Sequence, residues 1–316
     1  MESFDDLFKQ FPGSDRFAFP GNVKRVSAGS GGETLLITGS EKIAILDCGM
    51  AFAAGRLIEN LKHELNGRAP DYLLISHTHY DHIGALPFVR REWPDIITAG
   101  AKHAAKVFAN PKAIKTINAL GENAGILYEG AVKYEVPEEG FSIDRIIGDG
   151  DRIVLGEEEI AVLETGGHTD CSLTFVLEPC GIMFLSESTG VLEGPDSVHV
   201  TILKSFRDSM ASVEKCRAYG AKYLVSSHYG MMPEYYNEKY WESFLSTTDD
   251  YKEFLFGLFE RGLLYDEIME KYAERYWDDR RKKEQPKEAF ILNAQNVVKV
   301  FLKEYELIKE KGNQGA

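Results

Sequence analysis

The chain has 316 residues, 44% of them hydrophobic and 27% charged, which excludes a mainly disordered, collagen-like or disulfide-scaffold chain and, at ~150 residues per domain, sets a prior of about two domains. Its 36 basic and 50 acidic side chains leave a formal charge of −14, a field that repels polyanions, so nucleic acid is not the expected partner. No apolar run approaches the roughly 18 residues of a membrane span, and the segment Met1-Glu2-Ser3-Phe4-Asp5-Asp6 lacks the basic-then-apolar order of a signal peptide, so a cytoplasmic setting without a membrane partner is expected.

In chain order, short apolar runs bounded mostly by Gly, Asp or Pro predict strands at 35–37, 43–46, 72–75, 153–155, 160–163, 173–177, 182–185 and 223–225. Between them, Leu57, Ile58, Leu61 and Leu65 mark one amphipathic helix, and Met210, Val213 and Cys216, closed by Gly220, mark another. Strands and helices are mixed, so the first part reads as α+β, or α/β in other schemes. After about residue 235 the β-type runs stop. Helices are predicted there over 240–260, over 265–277 and from Pro286, a residue type favoured in a helix's first turn. Phe290, Ala294, Val297, Phe301, Tyr305 and Ile308 form one apolar stripe, expected to pack on the chain's own core, with a homodimer seam as the alternative.

Several smaller features read as structural. Arg280-Arg281-Lys282-Lys283 reads as a solvated inter-helix loop rather than an anion site. Gly29-Ser30-Gly31-Gly32, with no Lys-Ser following, reads as a hairpin turn rather than a phosphate cradle. Cys48, Cys171, Cys180 and Cys216 form no CxxC pair and are expected as free thiols.

The chemistry is concentrated in Ser76-His77-Thr78-His79-Tyr80-Asp81-His82-Ile83-Gly84, which follows an apolar strand and crowds three imidazoles and a carboxylate into positions 77–82. Alternate residues of extended or turning backbone point the same way, so His77 and His79 can converge on one ion while Asp81 and His82 face a neighbouring one. A coincidental His-rich turn is the competing reading, and HxHxDH after a strand is far more specific than a two-His pattern. Downstream, His168, Glu187 and His228 each follow a β-type run, and residues on loops at strand ends can meet in space. His63 and His103 sit in helical patterns and read as surface or packing residues. His199 is a candidate cleft residue, and Tyr80 and Tyr229, which flank candidate ligands, are candidate substrate contacts. Cys171 reads as a packing residue, because no base remains beyond the histidines assigned to metal.

Taken in order, these motifs resemble those of the metallo-β-lactamase-fold hydrolases, and more closely their glyoxalase II-like branch, over roughly residues 20–235. Leu46-Asp47-Cys48-Gly49 looks like the family's early "DxG" strand end, and His77 to His82 like its metal loop. Gly167-His168-Thr169 looks like its "GHT" turn, and Ser227-His228-Tyr229-Gly230 like its last metal histidine. The resemblance implies a four-layer αββα sandwich with a helical C-terminal extension: a catalytic domain over 1–235 and an α-helical region over 236–316 covering the cleft. It further implies that His77, His79 and His168 hold one divalent ion and Asp81, His82 and His228 a second, zinc first and iron or manganese as alternatives, with Glu187 bridging. Glu187 departs from the family pattern, which places Asp after Gly here, and its extra methylene leaves binding of a single ion as an alternative.

The expected function is hydrolysis of a small-molecule thioester, ester or lactone by a metal-bridging hydroxide that Asp81 helps to orient. The alternatives are a phosphodiester hydrolase on the same site, a one-iron dioxygenase using His77, His79 and His168, and a non-enzymatic, metal-stabilised signalling or binding protein. Length and helical appendage also resemble thioesterase-type members, including a quinolone-signalling branch. The stretch from Gly84 to Asp151 is expected to form a lid with the C-terminal helices and to set specificity.

Overall fold

The computed structural model describes residues 19–314 apart from positions 133, 138, 195, 196 and 229, and in it the apolar runs form two six-stranded sheets. The first is ordered β1 (Val23–Arg25), β2 (Leu35–Thr38), β3 (Ile43–Leu46), β4 (Tyr72–Leu74), β5 (Ile97–Gly100) and β6 (Arg145–Ile146). Its first three strands pair antiparallel and the rest parallel. The second sheet runs from β7 (Arg152–Val154) through β8 (Glu159–Glu164), β9 (Leu173–Glu178) and β10 (Ile182–Phe184). After a separate ribbon of β11 (Val191–Gly194) and β12 (Ser197–His199), it closes with β13 (Tyr223–Ser226) and β14 (Gly230–Met231).

Side-chain alternation decides how the sheets stack. Leu35, Ile37, Ala44, Leu46 and Leu74 of the first sheet share one buried cluster with Ile160, Val162, Phe175, Leu177 and Phe184 of the second. Their neighbours of opposite parity point the other way: Leu36, Ile45 and Leu73 pack under helices α1 (Ala54–Leu65) and, after the short α2 (Tyr80–Ile83), α3 (Leu86–Glu92). Ala161, Val176 and Met183 do the same under the helices of the second sheet. Both faces of each sheet are covered, which is why the strands read as continuous apolar runs. The result is the four-layer α+β sandwich.

The segment after Gly84 is built into the first sheet. It supplies β5 and β6, which complete the first sheet, together with α4 (Lys102–Phe108) and α5 (Pro111–Glu129), and of these α5 reaches the cavity described below. Asn110 caps α5 by accepting from the Lys112 amide, and Ser205 caps α6 (Phe206–Tyr219) by accepting from Asp208. β1, β5, β6, β11, β12 and β14 carry no strong sequence signal. They are four residues or fewer.

The C-terminal region is helical: α7 (Asn237–Glu260), α8 (Tyr265–Tyr276), the one-turn α9 (Arg281–Glu284) and α10 (Lys287–Gln314). Phe290, Ala294, Val297 and Phe301 are buried with Tyr240, Phe244, Leu255 and Tyr272 against Val176 and Met183, so the stripe packs on the chain's own core. Ile308, at 48% exposed, lies beyond that contact. Arg280, Lys282 and Lys283 are exposed as expected, but Arg281 is not: it is folded into α9 with its side chain only 14% exposed, because two carboxylates hold it inward. Among the described residues no helix is long and apolar enough to cross a membrane.

Candidate metal centre

Five strand-end loops converge at one edge of the two sheets. β3 ends at Asp47, which takes a left-handed φ of 52°, and Gly49 bridges to Ile83, so this loop lies along the 76–83 segment. After β4, His77 and His79 stand on irregular chain that is extended at His79, and α2 then winds Asp81 and His82 round to the other side. His168 comes from the loop between β8 and β9, Glu187 opens a one-turn 3-10 helix after β10, and His228 sits in the turn between β13 and β14. Gly29 to Gly32 lies in the connection of the β1–β2 hairpin, yet its last glycine also shapes this centre. A Cβ at Gly32 would overlap the His82 ring, so only glycine lets that loop pass.

The seven residues form two donor sets, His77, His79 and His168, and Asp81, His82, Glu187 and His228, with the donor atoms of each set within 4.8 Å of one another. In the first, His168 Nε2 lies 3.0 Å from His79 Nδ1. In the second, Glu187 Oε1 is 2.9 Å from both His82 Nε2 and His228 Nε2, and Asp81 Oδ2 is 3.8 and 3.6 Å from the same nitrogens. Glu187 spans the sets, since its Oε2 is 3.3 Å from His168 Nε2 and its Oε1 4.0 Å from His77 Nε2.

Hydrogen bonds behind the rings show what these nitrogens are prepared for. Ser76 donates its only hydroxyl proton to Asp47 Oδ2 at 2.6 Å, so it can only accept from His77 Nδ1 at 3.1 Å. His168 Nδ1 donates to the Thr201 carbonyl at 2.7 Å, and His82 Nδ1 donates to Asp47 at 2.8 Å. In all three rings a proton sits on the rear nitrogen and Nε2 faces inward, the nitrogen that a metal ion would take in place of any proton it carries. His77 Nε2 is buried and has no hydrogen-bond partner among the described residues. A lone pair left so, at a cost of about 1–3 kcal/mol, fits a divalent ion.

Electrostatics separate the two sets. Burial, reinforced by His82, holds His77 well below the ordinary histidine value, and burial with the nearby His168 lowers His79 to about 4. Burial opposes the charged form of His82 too, but the Asp81 charge and the hydrogen bonds to Asp47 and Glu187 outweigh it, and its pKa is raised well above the ordinary value. His228 is raised by Glu187 against the same opposition. Glu187, though buried, is held well below the carboxylate range by His168, His228 and His82.

The centre opens into a cavity of about 1030 Å³. Tyr80 and His199 line it, and Tyr229 lies outside the described residues. His199 Nδ1 is 3.4 Å from the Tyr251 hydroxyl, and burial and then Arg281 lower its pKa. Arg281 and Glu193 line it as well and pair at 2.5 Å, with Arg281 also 3.1 Å from Glu284. The sequence signal for Arg281 was masked by the three other cations beside it, and that for Asp47 was its place in the "DxG" strand end. His63 is exposed on α1, His103 faces Asp170 at 3.8 Å, and Cys171 is buried beside Thr78 and Thr169.

Comparison with known proteins agrees with this architecture. A glyoxylase B2 from Dictyostelium discoideum is 24% identical over 199 residues, 57% of this chain and 61% of its own length. A hydroxyacylglutathione hydrolase from Chelativorans sp. (strain BNC1) is 27% identical over 132 residues, 42% of this chain and 38% of its own. The matches thus span less than two thirds of those relatives. A metallo-beta-lactamase family protein of known structure from Thermus thermophilus superposes with a TM-score of 0.65 at 18% identity, over 93% of this chain and 95% of its own, and supports the fold. Residues 29–228 match the metallo-beta-lactamase superfamily, and with more than half of its length inside that match the chain belongs to this superfamily.

Proposed function

We propose that this chain is a dinuclear, zinc-dependent hydrolase of small-molecule thioesters, esters or lactones. The observation that carries the reading is the pair of donor sets joined by Glu187, with the inward-facing His77 Nε2 left unpartnered among the described residues. His77, His79 and His168 would hold one ion and Asp81, His82 and His228 the other, with Glu187 reaching both. When bound, such ions lower the pKa of a water to about 7 and polarise a carbonyl oxygen.

The chain's own residues supply the rest. Asp81, whose side chain is 17% exposed on the cavity side, accepts a hydrogen bond from the attacking hydroxide and so helps to orient it. Asp47 and Ser76 hold the rings of His82 and His77 in one orientation through turnover. Tyr80, His199 and Tyr229 are the substrate contacts of this reading. Residues 1–235 carry the chemistry, and the helical region over 236–316 covers the cleft. The name of the hydroxyacylglutathione hydrolase relative favours a thioester among the three substrate classes. The second donor set favours hydrolysis over the one-iron dioxygenase, which needs only three histidines.

Elemental analysis by plasma mass spectrometry, on protein purified without added metal or a nickel column, tests the reading together with a thioester panel. About two ions per chain and thioester hydrolysis are expected. About one iron per chain, with oxygen uptake and no hydrolysis, overturns it.

A further inference from the structure

We infer that the acyl part of the substrate is an apolar chain, seated on a wall that leads away from the metal centre and is built largely by elements outside the metal-bearing loops. This rests on the hydrolase reading and adds the substrate class to it. The wall consists of Met50, Leu120, Tyr128, Ala289 and Leu292. Met50 lies three residues past Asp47, is 2% exposed, and packs on the loop at Gly31. A Cβ there would stand 3.0 Å from the Met50 methyl, and the φ of +115° already disfavours one. Leu120 and Tyr128 are two turns apart on α5, on the face that buries Ile117 and Ala124. Ala289 and Leu292 are three residues apart on α10, and so on one face of it.

Four of these side chains carry no hydrogen-bond donor, and the fifth, Tyr128, directs its hydroxyl to the Glu284 carbonyl and offers its ring. Tyr80, between His79 and Asp81, belongs to the same buried cluster as Met50, so the wall begins beside the centre itself. Except beside Asn293, which lines the cavity next to Leu292 on α10, a polar acyl group laid here would lose water without compensation, whereas methylenes gain by leaving it. The lining from β11, β12 and α9 differs: apart from Val191 it is polar, with Glu193, His199 and Arg281 matched to the polar remainder of a substrate. At about 1030 Å³ the cavity has room for both parts.

Calorimetric titration of the protein as purified with acetate, butanoate, hexanoate and octanoate, the carboxylate products of such substrates, needs no turnover. Affinity is expected to rise about fourfold per methylene covered until the chain passes the wall. Leu292→Gln, at a position 41% exposed, and Leu120→Gln are each expected to cut the octanoate-to-acetate affinity ratio about tenfold. Equal affinity for acetate and octanoate overturns the proposal, as does a ratio that neither variant changes while both melt like wild type. The same acyl lengths as N-acetylcysteamine thioesters separate the two layers. Hydrolysis indifferent to acyl length, with length-independent binding, removes the apolar wall and leaves the hydrolase; length-dependent binding without hydrolysis of any ester removes the hydrolase and leaves the wall.

Discussion

The two donor sets lie side by side, with the His77 and His82 rings 4.1 Å apart between centroids, yet they are electrostatically opposite. His77, His79 and His168 include no carboxylate, and burial first and neighbouring imidazoles second keep His77 and His79 neutral. Asp81, His82, Glu187 and His228 combine two carboxylates with two imidazoles whose pKa values are raised. An incoming cation therefore meets the unpartnered His77 Nε2 in one set and must displace protons in the other. Self-satisfied charge and metal readiness have been separated between neighbours.

Removing one histidine from each set is the strongest way to break this contrast. In metal-free protein, His82→Ala leaves Asp47 and Glu187 buried without their shared partner and is expected to cost about 3–5 kcal/mol by urea unfolding. His77→Ala removes a ring whose Nε2 is unpartnered and is expected to cost about 1–2 kcal/mol. Under the proposed function each variant also drops metal content from about two ions to about one. Equal destabilisation would end the distinction between the sets.

Glu187→Gln tests the link. The amide keeps the shape and removes the charge that raises His228 and helps raise His82. The expected outcome is about one ion per chain by mass spectrometry and a stability loss of about 2 kcal/mol. Retention of two ions would show that the charge of Glu187 is dispensable.

The opposite shifts also sharpen the comparison through pH. Between about 4 and the ordinary histidine value of about 6.5, His79 is unprotonated in the fold and protonated when unfolded, so its contribution is lost as pH falls through that window. His82 and His228, raised in the fold, contribute stability that is fully present below about 6.5 and lost as pH rises through their folded values. The urea midpoint of metal-free protein should peak near pH 6.5, with His82→Ala flattening the alkaline limb and His79→Ala the acid one. A single monotonic curve would contradict both assignments.

The smallest effect belongs to a control away from the centre. Asp144 takes two contacts from Arg90 and the Thr98 amide, which lower its pKa against the burial that raises it. That stability is present above about 3.9 and lost as pH falls through the folded value. Asp144→Asn is expected to remove less than about 1 kcal/mol, measured at pH 7, because the pair is part exposed. An effect on the alkaline limb would mean that the limb does not report the centre.

Much of the fold was legible because burial on both faces writes itself into short apolar runs such as Ile43–Leu46 and Leu173–Glu178. The edges were not: Val23–Arg25 and Ile97–Gly100 are short and poor in consecutive large apolar side chains, and become strands only because a neighbouring strand supplies their hydrogen bonds. The centre was legible to the same extent. His77 to His82 announce themselves by density, whereas Asp47 and Ser76, which orient the rings, are ordinary residue types until the fold sets them behind the histidines.

By itself, then, the sequence determined what short-range physics controls: strand parity, helix caps at Asn110 and Ser205, the turn at Gly220, and the local order of ligand types in HxHxDH. Tertiary structure decided the partnerships. Glu187 meets His82 across 105 positions, Asp47 meets His82 across 35, and Arg281 meets Glu193 across 88, drawing one residue of a solvated basic run into the cavity wall. Such pairings depend on which loops the two packed sheets bring to one edge, and a charged side chain is drawn inward only when that packing offers it a buried counter-charge.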